Sequence, residues 1–424
     1  MAAYHLAIDI GASSGRHILG WKENGKILIK ELYRFPNGVK ESGGHLIWDI
    51  ETLLGHVKKG IDDAIESYPD IKTLSIDTWG VDYVLMSGSR EILPCYAYRD
   101  SRTEKVIPEV HKLISFEKLY KRTGIQFQPF NTVYQLYADK IAGRLDDATD
   151  FLLMPEYLLY KLCGVKSHEY TNATTGGMIN SAEKIYDKEI INSLGFPEKL
   201  FASLSQPRTK IGVYKGVQCI LCATHDTASA VEGIPMEGNE IYISSGTWSL
   251  LGTKIEEAIT TPESLKANFT NEGGVGYIRY LKNIMGMWLI NRLRDELCPG
   301  KDFGEIVKEA QSSNFDFTVD ANDQTFLAPD SMKAAFNSKL PELPKNPADY
   351  FRCAYRSLAM TYKSAVEEIE RATNTKYSSI YIVGGGAKNN FLNTLTEQAT
   401  GKKVIALPIE ATALGNLKIQ MEAE

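Results

Sequence analysis

The sequence predicts two related α/β domains that face each other across a cleft, because a strand–turn–strand unit occurs once in each half of the chain. Residues 6–10 are an apolar run with one carboxylate, which is typical of a buried strand, and residues 17–21 have the pattern of a returning strand. Residues 240–252 repeat this order, and in each half a helix, a strand and a loop follow later. A chain of 424 residues is also too long for one ordinary hydrophobic core.

In the first half, apolar residues recur at helical spacing over residues 50–67, and residues 73–77 read as a strand that ends in a carboxylate. A domain boundary is predicted near residues 211–216, which divides the chain into residues 1–213 and 214–424.

The second half begins with an apolar strand over residues 217–221, which leads into a Thr-His-Asp-Thr segment. Residues 347–373 have the spacing of a long helix, and they lead to a strand at 379–383 and a glycine-rich loop at 384–390. The duplication is one of element order and not of residue identity.

Composition places the chain among soluble globular proteins, with 43% hydrophobic and 24% charged residues. A net charge of -6 argues against nucleic acid or an anionic membrane as the main partner. No apolar stretch is long enough to span a bilayer, and six scattered cysteines fit a reducing compartment. We therefore expect a cytoplasmic protein with a small-molecule substrate, either a monomer or a homodimer.

Three turns rich in Gly, Ser and Thr follow predicted strands, at residues 11–15, 244–247 and 384–386. Small side chains let the backbone approach a ligand closely, and successive amides form a concavity that binds anions. No G-x-x-x-x-G-K-[ST] loop occurs, so a P-loop kinase is not the interpretation. The turns favour a nucleotide site, and the alternative for each is an ordinary hairpin or loop turn.

Two carboxylates are candidates for chemistry. Asp9 lies at the mouth of the first turn, where a carboxylate beside phosphates usually serves Mg²⁺; the alternative is a strand-end aspartate. Asp226 precedes a run of small residues suited to a helix start, and spacing alone favours an N-cap over a catalytic role. The neighbouring His225 reads as a packing or hydrogen-bonding histidine, since no partner lies at metal-ligand spacing.

The chain resembles the FGGY carbohydrate kinases through motifs that occur in collinear order over nearly its whole length. These motifs lie at residues 9–16, 76–82, 98–102, 124–127, 169–174, 225–229, 244–249, 270–274, 282–286, 384–386 and 410–416. The resemblance implies two ribonuclease-H-like domains of the superfamily that contains actin, hexokinase and heat-shock chaperone ATPases, each with a mixed β-sheet flanked by helices. It also implies phosphorylation of a ketose, L-rhamnulose, at its 1-hydroxyl by Mg·ATP.

The resemblance implies a role for each motif residue. Asp226 would be the base that accepts the hydroxyl proton, and Asp9 would help to place Mg²⁺ through water. The residues implied to contact the sugar are Gly80, His225, Asp226, Thr227 and Asn283. Those implied to hold ATP are Ala12, Ser13, Ser14, Gly15, Arg16, Thr247 and Gly385.

Two departures from the family pattern stand out. Asn291 occupies a position where a longer glutamine contacting nucleotide is expected. The chain also ends soon after Asn416, which predicts a second domain truncated at its C-terminus, and the alternative is a natural short form of the domain. The alternatives are a kinase of the same family acting on fuculose or xylulose, or an actin-like or heat-shock-type ATPase that changes conformation without phosphorylating a small molecule.

Overall fold

The computed structural model describes residues 3–407 and 410–424. These residues form two compact units. The first unit contains residues 3–234, 254–280 and 410–424, and the second contains residues 235–253 and 281–407. The first unit therefore contains residues on both sides of the predicted boundary at residue 213, and it also includes two later segments of the chain. The two units are not two consecutive halves of the chain.

Strands occur throughout the described residues. They are β1 (Tyr4–Ile10), β2 (Ser14–Glu23), β3 (Lys26–Pro36), β4 (Val39–Ser42), β5 (His45–Trp48), β6 (Ile71–Thr78), β7 (Tyr83–Ser87), β8 (Arg90–Ile92), β9 (Cys95–Tyr96), β10 (Asp150–Leu153), β11 (Lys210–Tyr214), β12 (Val217–Ile220), β13 (Glu240–Ser245), β14 (Ser249–Ile255), β15 (Thr270–Gly273), β16 (Ile278–Ile284), β17 (Ser379–Val383) and β18 (Lys403–Ala406).

Helices connect and cover these strands. They are α1 (Ile50–Ser67), α2 (Ile107–Leu113), α3 (Phe116–Thr123), α4 (Thr132–Ile141), α5 (Met154–Cys163), α6 (Tyr170–Thr174), α7 (Lys188–Leu194), α8 (Asp226–Glu232), α9 (Pro262–Lys266), α10 (Trp288–Leu297), α11 (Phe303–Ser312), α12 (Met332–Lys339), α13 (Pro347–Thr373), α14 (Asn390–Thr400) and α15 (Ala411–Ala423). Among the described residues we find no helix with both the length and the apolar character needed to cross a lipid bilayer.

The main sheet of the first unit has the order β11-β12-β6-β1-β2-β3. Strands β1, β6 and β12 run parallel, whereas the β1–β2, β2–β3 and β11–β12 pairs are antiparallel. Since β12 pairs with β6, the segment that follows residue 213 belongs to this sheet and not to the sheet of the second unit. The sheet is therefore mixed, as predicted.

Alternation along β1 gives this sheet two buried faces. Leu6, Ile8 and Ile10 belong to a core that includes apolar residues of α1 and α5, whereas Ala7 packs with Leu417 of α15 on the other face. Successive side chains of a strand point to opposite faces, so an apolar run such as β1 is the pattern of a strand covered on both sides.

Helix α1 has the predicted bounds and begins at a side-chain cap, because Asp49 accepts a hydrogen bond from the backbone N–H of Thr52. Its buried residues Leu53, Val57 and Ile61 recur every four residues and form the face that packs on the sheet.

The second six-stranded sheet has the order β15-β16-β14-β13-β17-β18. Strand β13 is antiparallel to β14 and parallel to β17, which is parallel to β18. In the first sheet, the four neighbouring strands β2-β1-β6-β12 form one antiparallel pair followed by two parallel pairs. The strands β14-β13-β17-β18 of the second sheet pair in the same way. The predicted duplication of element order is confirmed, and so are the bounds of α13 and β17.

Candidate functional site

The carboxyl ends of β1, β6 and β12 meet at one edge of the first sheet. Asp9 of β1 pairs in register with Asp77 of β6, and the backbone N–H of Thr78 donates to the carbonyl of Thr224 at 2.9 Å. Ligands of α/β sheets bind outside the carboxyl ends of parallel strands. The sheet therefore brings together three predicted segments: the turn at 11–15, the segment around Gly80 and the segment at 224–227.

The first small-residue turn is short and open to solvent at its tip. The backbone N–H of Gly11 donates to the carbonyl of Ser14 at 2.9 Å, and Ser13 is exposed. A Cβ on Gly15 would lie 2.1 Å from Cζ of Phe35, so the strand after the turn needs glycine at this position. Ala12 and Ser14 are half-buried beside the exposed tip.

Arg16 joins two carboxylates beside this turn. One guanidinium nitrogen donates to Oδ2 of Asp9 and another to Oε2 of Glu410, each at 2.6 Å. The Arg16 and Asp9 side chains are 17% and 11% exposed, so this pair is partly shielded from water. The predicted magnesium residue and a predicted nucleotide residue are thus in direct contact.

Asp226 is the first residue of α8, and His225 holds the N-cap position without a side-chain capping bond. The cap that spacing alone favoured for Asp226 is therefore wrong. The Asp226 carboxylate accepts a hydrogen bond from the Thr227 hydroxyl at 3.0 Å, and 31% of its side-chain surface is exposed. Partial removal from water, reinforced by the negative charge of Asp9, raises the pKa of Asp226 to about 7.

Glu169, from a motif to which the sequence assigned no role, anchors the segment that carries Asp226. Its buried carboxylate accepts bonds from the hydroxyl of Thr224 at 2.7 Å and from its backbone N–H at 3.2 Å. The same carboxylate accepts from the N–H and hydroxyl of Thr171 and from the N–H of Asn172. A buried carboxylate with this many donors fixes the backbone immediately before His225.

Gly80 lies in a tight turn after β6. The N–H of Asp82 donates to the carbonyl of Gly80 at 2.9 Å, and Val81 between them has φ +70°, which is strained for a β-branched residue. A Cβ on Gly80 would lie 2.9 Å from the Thr175 hydroxyl.

The buried carboxylate of Asp82, at the end of this turn, is held by several hydrogen bonds that stabilise the turn. It accepts from the indole N–H groups of Trp48 and Trp79 at 2.6 and 3.0 Å and from Gln135 at 3.0 Å. Burial raises the pKa of Asp82 to about 6. Trp79 is only 7% exposed and its ring packs against that of Trp48 at a centroid distance of 4.2 Å and a tilt of 35°, so it belongs to the hydrophobic core next to the turn.

The second and third small-residue turns lie together in the second unit. A Cβ on Gly386 would lie 2.0 Å from the hydroxyl of Ser245, and Gly384 has φ +82°, a region that glycine tolerates. Thr247 and Gly385 line one cavity of about 560 Å³ in this unit, and Asn291, which stands where a longer glutamine was expected, lines it as well.

Asn283 is the remaining predicted sugar residue. It lies near the end of β16, is half-buried, and belongs to the second unit, whereas Gly80, His225, Asp226 and Thr227 belong to the first.

Sequence reasoning missed a second buried carboxyl group beside the proposed base. Asp77 is fully buried, and its Oδ2 accepts from Asn416 at 2.6 Å, whereas its Oδ1 has no hydrogen-bond partner among the described residues. Burial and the nearby Asp9 raise the pKa of Asp77 well above its usual range, which favours the neutral acid. Only its position at the end of a strand distinguished it in the sequence.

Residues 4–229 match the N-terminal domain of the FGGY family of carbohydrate kinases, and residues 241–424 match the C-terminal domain. The chain belongs to this family. The expectation of an FGGY carbohydrate kinase is confirmed, and the chain is an enzyme that transfers a phosphoryl group to a sugar.

This FGGY kinase is similar in sequence to two named relatives and in fold to one solved structure. It is 41% identical to a rhamnulokinase from Oceanobacillus iheyensis, over 100% of this chain and 94% of the relative. It is also 41% identical to a rhamnulokinase from Halalkalibacterium halodurans, over 99% and 93%. Its fold matches the crystal structure of a gluconate kinase from Lactobacillus acidophilus at 15% identity, with a TM-score of 0.85 over 100% of this chain and 89% of the other. The predicted fold class is confirmed.

Proposed function

We propose that this FGGY kinase is a rhamnulokinase, which transfers the γ-phosphoryl group of ATP to the 1-hydroxyl of L-rhamnulose and releases ADP. The observation that carries the proposal is the 41% identity, over essentially the whole chain, to relatives named rhamnulokinase. The position of His225 and Asp226 at the carboxyl ends of parallel strands supports it, since phosphoryl transfer depends mainly on positioning and on charge neutralisation.

In this proposal Asp226 is the general base. Its carboxylate takes the proton of the 1-hydroxyl as the sugar oxygen bonds to the γ-phosphorus and the bond to the leaving ADP breaks. Its partial exposure and its raised pKa support the role, because a base works best when its pKa lies near the working pH. Gly80, His225, Thr227 and Asn283 contact the sugar in the same proposal.

ATP is held in this proposal by small-residue turns. Residues 12–16 bind phosphate oxygens through backbone N–H groups and the Arg16 guanidinium, and Thr247 and Gly385 contact the nucleotide at the cavity of the second unit. Asn291 lines that cavity too, which supports a nucleotide contact from its shorter side chain.

Asp9 is the proposed magnesium residue. Mg²⁺ bound with a nucleotide keeps several waters and needs only one or two carboxylates from the protein. One carboxylate already bonded to Arg16 fits a position that reaches the ion through water, and no group of three or more metal-binding side chains occurs among the described residues. When bound, Mg²⁺ would neutralise phosphate charge, and Asp9 would orient its water shell.

A panel of sugars assayed by ADP release tests the proposed function. We expect release that depends on L-rhamnulose and is much slower with L-fuculose or D-xylulose, because a missing or misplaced hydroxyl partner costs several orders of magnitude in kcat/KM. Faster release with one of the other ketoses would assign a different substrate within the family. Release that no sugar accelerates would reject the proposal in favour of a conformational ATPase.

Gly385→Ala tests the nucleotide site. A Cβ at this position meets no protein atom within 4 Å, so we expect unchanged thermal stability. The methyl group would instead occupy space that the nucleotide needs, and we expect KM for ATP to rise about tenfold, the equivalent of about 1.4 kcal/mol. Gly238→Ala, which also meets no atom within 4 Å in the same unit, is the matched control. Equal KM values for the two variants would remove Gly385 from the site.

The pH dependence tests the base. Because Asp226 must be ionised to accept a proton and its pKa is raised to about 7, we expect kcat/KM for the sugar to fall tenfold per pH unit below about pH 7. The measurement is an initial-rate profile between pH 5.5 and 9 at saturating Mg·ATP. A flat profile down to pH 5.5 would contradict a base with a raised pKa.

A further inference from the structure

Arg279 is a fully buried arginine that neither the family motifs nor the proposed mechanism uses. It lies on β16, and its Nε–H donates to the carbonyl of Gly273 at 2.9 Å. One terminal nitrogen lies 3.0 Å from Nδ1 of His225 and also 3.0 Å from Oε2 of Glu272. A charged side chain without exposure needs a reason, because burial of an ion costs far more than ordinary packing returns.

The contact between Arg279 and His225 has only one possible direction. A guanidinium carries N–H donors and no acceptor, and it stays charged at any ordinary pH. At 3.0 Å the nitrogen of Arg279 therefore donates, and Nδ1 of His225 must present its lone pair. A neutral imidazole with a bare Nδ1 carries its proton on Nε2.

Glu272 does not reverse this assignment. Its Oε2 lies 3.5 Å from Nδ1 of His225, which is farther than the Arg279 nitrogen, and its negative charge is already opposed by Arg279. A proton on Nδ1 would face the cation at 3.0 Å, and this repulsion exceeds what a long contact with Glu272 offers.

The other ring nitrogen faces the proposed base. Nε2 of His225 lies 3.5 Å from Oδ1 of Asp226. The charged groups around the imidazole are therefore Arg279 from β16, Glu272 from β15 and Asp226 from α8. Burial and the Arg279 charge together lower the pKa of His225 well below its usual value, so the ring stays neutral near Asp226.

We propose that Arg279 is a positioning residue that holds His225 as the neutral tautomer with its proton on Nε2, so that His225 is a fixed hydrogen-bond donor to an oxygen of the sugar beside Asp226. The sugar contact rests on the proposed function, whereas the tautomer rests on the Arg279 geometry alone. The proton on Nε2 can bind a sugar oxygen that accepts a hydrogen bond. Because the ring is neutral, His225 adds no positive charge next to the carboxylate of Asp226.

The tautomer is measured directly in the unmodified protein. Labelling with ¹⁵N-histidine and long-range ¹H–¹⁵N spectra distinguish the two neutral tautomers from imidazolium, and His225→Gln identifies the signal by its loss. We expect His225 to show only the form protonated on Nε2, unchanged between pH 5.5 and 8. A proton on Nδ1, or a ring that titrates in this range, would overturn the proposal.

Arg279→Gln shows whether this tautomer matters for turnover. Without the cation, the negative charge of Glu272 at 3.5 Å favours a proton on Nδ1 of the neutral His225 ring, which leaves Nε2 with no proton to donate to the sugar. Loss of the cation also raises the pKa of His225, and at lower pH the imidazolium carries a proton on both nitrogens and donates again. We therefore expect KM for the sugar to be about tenfold higher at pH 8 than at pH 6, a dependence that the wild-type protein lacks, with KM for ATP unchanged. Arg144→Gln is the matched control, because Arg144 is also a shielded arginine paired with a carboxylate, Asp139, outside the proposed site.

These experiments separate the possible failures. If Arg279→Gln does not fold, as judged by circular dichroism, the spectra of the wild-type protein still decide the tautomer. If wild-type protein shows no sugar-dependent ADP release, the proposed function fails while the spectra still decide the role of Arg279. A sugar KM in Arg279→Gln that changes with pH as it does in Arg144→Gln would overturn the functional part of the proposal.

Discussion

Asp226→Asn is expected to lower kcat by about 10²–10⁴-fold, with little change in the affinity for ATP or for the sugar. The amide has the size and shape of the carboxylate and still accepts the hydrogen bond from Thr227, but it cannot take the hydroxyl proton. Removing the charge also relieves repulsion from Asp9, so the variant should fold at least as well as the wild-type protein. Steady-state kinetics give kcat, and calorimetric titration with each ligand gives the affinities.

Asp77→Asn is the control, because it makes the same chemical change at the neighbouring buried carboxyl group. Burial raises the pKa of Asp77 and favours the neutral acid, which an amide resembles in size and charge, and the amide oxygen still accepts from Asn416. We expect kcat within about threefold of wild type, given that such an exchange removes one interaction at most. Asp226 is not the base if Asp226→Asn keeps a kcat near that of this control.

Local patterns were sufficient for the elements that frame the site. The apolar run at β1, the small residues at 11–15 and the returning strand β2 were predictable because each depends on neighbours in sequence. The same is true of α13, whose apolar residues follow a helical period over 27 residues. The duplicated order of elements along the chain was predictable too, whereas the strand order within each sheet came from the structure.

The side chains that support the site were not predictable, because each depends on a contact between distant parts of the chain. Glu169 holds Thr224 from 55 positions away, and Arg279 meets His225 from 54. In sequence, Arg279 alternates with apolar residues of β16 in the way that an ordinary exposed strand residue would.

The first residue of α8 shows how far a local sequence pattern can predict the exact start of a helix. An aspartate before Ala and Ser predicted an N-cap at Asp226, but the cap position belongs to His225, one residue earlier. Thr78 pairs with His225 as an isolated bridge, which holds that residue in extended backbone and lets the helix begin at Asp226. The bridge between Thr78 and His225, which lie far apart in sequence, therefore places the Asp226 carboxylate inside the helix start and near Nε2 of His225, and not at the cap position.

Gly415→Ala is expected to destabilise the first unit by about 3 kcal/mol or more, which is the upper range for overpacking. A Cβ at this position would lie 1.8 Å from the carbonyl oxygen of Ser229 and 2.8 Å from the backbone nitrogen of Gly233. Both atoms belong to the backbone at α8, which cannot rotate away as a flexible side chain can. Helices α8 and α15 approach here at backbone distance, and α8 begins at Asp226, so we also expect lower kcat. Urea denaturation measures the stability.

Gly55→Ala makes the same substitution where the structure has room. Gly55 lies inside α1, and a Cβ there meets no atom within 4 Å. Alanine loses less backbone entropy on folding than glycine, so we expect this variant to gain about 0.5–1 kcal/mol. The two variants should therefore move the urea midpoint in opposite directions. Both glycines lie inside helices, so the two variants differ mainly in the space around the added methyl group. If Gly415→Ala were as stable as Gly55→Ala, α15 would not pack against α8 at this distance.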